Sequence, residues 1–117
     1  MSEWHIFETR AEYEPWWFFE GWRATISKSD TFIDKDNALS YFLMRTEELF
    51  DRNKNRKAKT YSTLAFWKDE EKIFCEACDD DLQMYTGLIL MNGTSIYEWK
   101  EEEYEETILK KIKVKPS

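Results

Sequence analysis

Glu14-Pro15-Trp16-Trp17-Phe18-Phe19-Glu20-Gly21-Trp22 holds three of the chain's six tryptophans and two of its eight phenylalanines. So much aromatic surface in nine residues calls for cover, either from the rest of the chain or from a partner. Pro15 has no N–H to donate, which bars the start of the stretch from a central ladder position. If Trp16 to Phe19 is extended, Trp16 and Phe18 point to one face and Trp17 and Phe19 to the other. The alternative is a single helical turn, with Pro15 at its first position and Gly21 just past its end. The aromatic bias favours the strand.

Outward from this stretch, the amino-terminal side alternates from Trp4 to Arg10. Trp4, Ile6 and Glu8 fall on one face, and His5, Phe7 and Thr9 on the other. Residues 11–14 form a polar connection. On the carboxy-terminal side, Trp22 to Ser27 reads as extended and Lys28 to Asp30 as a turn. Leu39, Phe42, Leu43, Leu49 and Phe50 then lie on one helical stripe, with Thr46 filling the gap, which predicts an amphipathic helix at about 35–52. Asp34 or Asp36 can cap its start, and the apolar spacing stops near Asn53.

Tyr61 to Lys68 reads as a strand, with Asp69 to Lys72 turning and Ile73 to Cys75 returning as its hairpin partner. Leu88 to Met91 is a short apolar run of the kind found in fully buried strands. Asn92-Gly93 is the strongest hairpin signal in the chain, predicting that Thr94 to Trp99 pairs back. From Lys100 to Lys115 acids precede bases, as a helix prefers, and Tyr104, Ile108 and Ile112 share a face. The sum is a single α+β domain over residues 1–117. It has a mainly antiparallel sheet of about five strands, one amphipathic helix and a second, C-terminal helix. The first helix covers one sheet face. The C-terminal helix or a partner must shield the other.

At 117 residues the chain is long enough for its own core. Its formal net charge is −7, which repels phosphate backbones and anionic leaflets. The longest apolar run, Gly87 to Met91, is far short of the ~20 residues of a membrane span. Glu3, Glu8 and Arg10 interrupt the amino terminus, so a signal peptide is not expected. Two closely spaced cysteines do not make a secreted disulfide scaffold. The expected compartment is the cytoplasm.

Three constellations could carry chemistry. Arg52, Lys54, Arg56, Lys57 and Lys59 form the one basic run, read as a loop or frayed helix end. The functional reading is a phosphate-contacting patch for nucleic acid, and the bland one is cations at a helix C-terminus. No helix-turn-helix, zinc-finger or RNP-like signature accompanies the run. Cys75-Glu76-Ala77-Cys78 is a C-x-x-C. A redox pair needs a depressed thiol pKa, which Glu76, Asp79, Asp80 and Asp81 oppose. A closed zinc site needs four ligands. With His5 the sole histidine, the remainder would come from Asp79 or Asp81, from His5, or from a second protomer's cysteine pair. Two ordinary thiols at a strand end are the third reading. Asp79 to Asp81 lacks the calcium-loop pattern, and Asp80 with Gln83 suits a capping box for a turn through Leu82 to Tyr85. Neither a nucleophile motif nor a phosphate-cradling glycine loop occurs among three glycines.

Four of these stretches together resemble the DUF1033 family, small Firmicutes proteins of unknown function. They are Glu14 to Trp22, Ala65-Phe66-Trp67, Cys75 to Gln83 and Tyr85-Thr86-Gly87-Leu88. The resemblance implies no enzymatic activity, cofactor or catalytic residue. Some members are described as DNA-binding, and only the run from Arg52 to Lys59 gives that description residues to rest on. The expectation carried forward is a non-enzymatic cytoplasmic interaction module. Trp16, Trp17 and Trp22 are the candidate contacts to a protein partner or second copy, with at most one of these tryptophans reaching it.

Overall fold

The computed structural model describes residues 3–75 and 80–100. Its elements are β1 (Trp4–Ala11), a 3-10 turn (Trp22–Thr25), β2 (Ile26–Phe32), α1 (Lys35–Arg52), β3 (Asn55–Thr60), β4 (Thr63–Trp67), β5 (Lys72–Cys75), β6 (Asp80–Gln83), β7 (Tyr85–Asn92) and β8 (Ser95–Ile96). A six-stranded sheet runs in the order β2-β1-β7-β4-β3, with β8 added to β7. β5 and β6 form a separate two-stranded sheet. Every pairing is antiparallel, so the chain is α+β. The C-terminal helix expected after Lys100 lies outside the described residues.

β7 is the spine. Its eight residues pair along their whole length with β1. Its other edge is shared, with β4 facing Thr86 to Ile89 and β8 facing Met91 and Asn92. Strand alternation sorts the side chains of β1 as expected. Trp4 and Ile6 join Leu64, Phe66, Leu88 and Leu90 on the face covered by α1, where Ala38, Phe42 and Leu49 meet them. Glu8 shares that face, and its two carboxylate oxygens each accept a hydrogen bond at 2.8 Å from the Arg45 guanidinium.

α1 occupies the predicted span. Asp34 caps it by accepting from the Asp36 N–H at 3.1 Å, and the Thr46 hydroxyl donates to the Phe42 carbonyl within the buried stripe. Asn53 closes the helix through both its backbone N–H and its side-chain amide, each donating to the Leu49 carbonyl.

The hairpin after β7 also forms, although β8 is only two residues long. Asn92 pairs with Ser95 across Gly93 and Thr94. Gly93 takes a φ of 65°, the left-handed conformation that glycine adopts without strain.

Several local expectations are corrected. Trp16 to Phe19 is neither strand nor helical turn. Both edges of β1 and β7 are already occupied, so the stretch crosses the sheet face instead of joining a ladder. Trp22 to Thr25 is a 3-10 turn, entered through Gly21 at φ 82°. Residues 28–30 lie inside β2, because an outer strand tolerates polar side chains on both faces. There the Tyr41 hydroxyl donates to the Asp30 carboxylate at 2.8 Å.

Residues 55–60 of the basic run form β3, because Ala58, fully buried against Leu64, docks the segment on the sheet. β5 pairs with β6 and not with β4, whose two edges belong to β3 and β7. Asp80 to Gln83 is therefore extended, and no capping box forms there. Gln83 instead donates its amide to the carbonyls of Lys68, Glu71 and Met84. Arg10, bonded to Glu71 and to Thr86, ties the same hairpin base to β1.

Candidate functional site

The second sheet face has no helix among the described residues, and the aromatic stretch lies across it. The middle of that face is built from small residues, since Thr9 and Ala65 flank Gly87 in register. Pro15 is buried there. A Cβ on Gly87 would come within 2.5 Å of Pro15 Cβ and nearer still to Thr9 Oγ1. The glycine is thus required by the close approach of the loop. Toward β8, Phe7, Ile89 and Met91 form a small apolar cluster against which Trp22, Ile26 and Ile96 pack. The Trp22 ring meets Phe7 edge-on at 6.2 Å and carries the Arg23 guanidinium 4.9 Å from its centroid.

The loop's backbone is held by tight turns. Trp17 N–H donates to Glu14 O, Phe19 N–H to Trp17 O and Trp22 N–H to Phe19 O. Its approach runs beside Tyr85, whose hydroxyl pKa is pushed up by burial and then by the Glu14 carboxylate. With Pro15 and Trp22 pinned inward, the residues between them cannot all follow. Trp17 is 50% exposed, Phe18 42% and Phe19 53%. Trp17 and Phe19 stack with centroids 6.2 Å apart, and Tyr13 meets Phe19 edge-on. Phe18 turns the other way and meets Trp22 at 4.9 Å.

Of the three candidate tryptophans, Trp17 is therefore outward, while Trp16 and Trp22 are half-buried. Sequence reasoning missed Phe18 and Phe19. Alternation assigns each to a face but cannot tell that the loop would press down only at its ends.

Beside the loop lies a cleft of about 460 Å³, where β7 changes partner from β4 to β8. Trp16 and Phe18 form one wall, residues 59–61 another, and Tyr97, Glu98 and Trp99 a third. The walls are braced to each other. The Ser62 hydroxyl donates to the Tyr97 carbonyl at 2.6 Å, and Leu90 N–H donates to the Ser62 carbonyl at 2.9 Å. Tyr97 and Trp99 also reach the helix-side core, through Trp4 at 5.0 Å and Phe42 at 6.1 Å.

The basic run does not gather into one patch. Arg52 lies 3.7 Å from Glu48 at the end of α1. Lys54 lies 3.4 Å from Asp69, whose carboxyl is held below its usual range first by the Asn55 amide and then by Lys54. Arg56 turns to the helix side, with its guanidinium 4.1 Å from the Phe50 centroid. Lys57 points to the opposite face, 5.9 Å from the Trp16 centroid. Lys59 stands at the cleft with no ion pair to a described residue. Strand alternation explains the split, because a run of cations on a strand is divided between two faces.

Cys75 ends β5 opposite Asp80 in the ladder, while Cys78 lies outside the described residues. His5 is on β1, with Nδ1 3.2 Å from Thr31 Oγ1 and its ring stacked on Phe7 at 5.6 Å. Among the described residues no helix is long and apolar enough to cross a membrane. No curated protein and no solved structure matches the chain. A family model described as "Protein of unknown function (DUF1033)" matches residues 4–115, and the chain belongs to that family.

Proposed function

We propose that the protein is a non-enzymatic interaction module of the cytoplasm, and that the loop from Tyr13 to Trp22 is its contact surface for a protein partner. The observation that carries this reading is the outward stack of Trp17 on Phe19, with Phe18 beside it, in a loop whose ends are buried. Three adjacent aromatic rings left half in water are a standing cost unless something covers them. Aromatic residues held rigidly are also the usual centres of protein interfaces. At ~200 Å² per ring, half-exposed, the three leave about 300 Å² of apolar surface. That is the size of a functional patch on a monomer and well below the ~800 Å² per partner of a stable interface. A small or transient contact fits this area better than an obligate homodimer.

Nucleic acid is the weaker reading. Arg56 and Lys57 diverge to opposite faces, Arg52 and Lys54 are next to carboxylates, and few cations remain to neutralise successive phosphates.

The test is a photo-crosslinking residue placed at position 19 and, as a control, at position 33, where Ile33 is 75% exposed but outside the loop. Discrete protein adducts in the producing cells are expected at 19 and not at 33. Equal adducts at both positions, or none at 19, would overturn the reading.

A further inference from the structure

The cleft next to the loop has a chemistry of its own. Its lining is mostly aromatic and aliphatic, through Trp16, Phe18, Tyr61, Ile96 and Trp99. Its volume of about 460 Å³ lies within the ~300–1,000 Å³ usual for sites that take a ligand group. Two residues on its walls carry charge, Lys59 and Glu98, and they come from different segments of the chain. The other cations of the basic run are matched to a carboxylate or an aromatic ring, whereas Lys59 has no ion pair among the described residues.

We propose that this cleft binds a short extended segment of a partner protein, one that presents a bulky apolar side chain next to a carboxylate. The proposal rests on the interaction reading above and names the chemistry of the partner. The apolar side chain enters between Trp16 and Trp99, and the carboxylate pairs with the Lys59 ammonium. Glu98, on another wall, disfavours a second acid there, so the acidic character of the segment is one-sided.

Charge complementarity singles out this occupant. Phosphates placed along the cleft would meet Glu98 as well as Lys59, and the cations needed for a backbone track are dispersed. A second copy would need a larger apolar face than the loop and cleft offer. The walls are preformed, because the Ser62 bridge to Tyr97 fixes their separation without a ligand. That reduces the ordering cost of binding.

The experiment uses the full chain and fluorescence polarisation of a labelled heptapeptide, Gly-Ser-Glu-Trp-Ser-Gly-Ser, against the same peptide with Lys in place of Glu. The Glu peptide should bind about fivefold tighter, the size of one exposed ion pair near its upper limit. Lys59→Glu should invert that preference while leaving the thermal midpoint unchanged. Trp16→Ala should weaken both peptides alike.

Equal affinity for the two peptides, no titration by either, or a preference unchanged by Lys59→Glu would overturn the proposal. So would tighter binding of decathymidylate than of the Glu peptide, which would assign the cleft to single-stranded nucleic acid. Concentration-dependent dimerisation abolished by Trp16→Ala, with both peptides silent, would assign it to a second copy. A synthetic peptide of residues 101–117 that binds where the Glu peptide does not would assign it to the chain's own end. If adducts at position 19 persist while the peptides fail, the interaction reading stands and the cleft chemistry falls. Loss of both removes the two together.

Discussion

The two faces of the sheet share one set of strands and are covered in different ways. On one, large side chains of β1, β4 and β7 interdigitate with the buried stripe of α1. The helix meets its own backbone hydrogen bonds, so it can place apolar residues inward and leave a polar outer surface. On the other, the strands offer Thr9, Ala65 and Gly87 as a low floor, and a loop with few backbone bonds of its own sits down on it. Such a loop has no periodicity with which to sort its side chains, and its consecutive aromatics diverge. A sheet face covered by a helix hides its apolar surface. One covered by an aromatic loop retains part of it for use.

The largest effect should come from the helix side. Phe42 is fully buried, and Phe42→Ala should cost ~3–5 kcal/mol of unfolding free energy, measured by urea denaturation. Trp22→Ala removes a larger ring, but a half-buried one from the smaller cluster. It should cost about 1–2 kcal/mol, roughly half the low end of a fully buried truncation. Equal losses would break the comparison, because the loop side would then be core of the same quality.

Next is the ion pair beneath α1. The Glu8 side chain is 9% and the Arg45 side chain 13% exposed, and the two meet through a bidentate pair that Glu48 extends at 3.0 Å. Removing one partner of a fully buried pair costs ~3–5 kcal/mol, so about 2–3 kcal/mol is expected for Arg45→Met at this residual exposure. Replacing Glu8 as well, by Gln, should recover part of it, since the penalty lies in the carboxylate left alone. A double-mutant cycle by denaturation measures the coupling. Additive losses would mean that the pair contributes nothing beyond packing.

A third change separates the faces directly. Gly87→Ala places a methyl group into Pro15 and Thr9. Overpacking of this kind costs ~1–3 kcal/mol, and the relief available is for the loop to lift. Tryptophan emission should shift to longer wavelength as Trp16 and Trp22 gain solvent. The amide protection of α1 should scale with global stability alone. Early exchange in α1 would show that the two covers are coupled through the sheet.

The same contrast governs how much could be read beforehand. α1 was legible to the residue because a period of 3.6 and an Asp34 cap are local signals. β1, β4 and the Asn92-Gly93 hairpin were legible for similar reasons. β3 was not, because one buried Ala58 among cations is a weak local signal, and the edge of β4 that recruits it comes later in the chain. The loop was misread as a strand because aromatic content resembles β propensity. What excluded it from the ladder is topological, the occupied edges of β1 and β7. Of the candidate site, Trp16, Trp17 and Trp22 were visible as composition. The cleft was not, since it joins segments around residues 16, 60 and 98 that only the notch between β4 and β8 brings together.

The smallest stability effect should belong to the most exposed residues. Trp17→Ser with Phe19→Ser removes a stacked pair, each ring about half in water. Hydration already offsets much of what the rings gain by stacking, and neither ring underlies the buried Pro15 contact with the sheet. The double change should therefore leave unfolding free energy within ~0.5 kcal/mol of the parent, as for ordinary surface substitutions. The change should still abolish adducts from a crosslinking residue placed at the neighbouring position 18. A cost near that of Trp22→Ala would mean that Trp17 and Phe19 serve chiefly to brace the loop, and the surface would lose its argument. Unchanged stability with lost adducts is the outcome that divides the aromatic stretch by role, with its ends holding the sheet face and its middle kept for a partner.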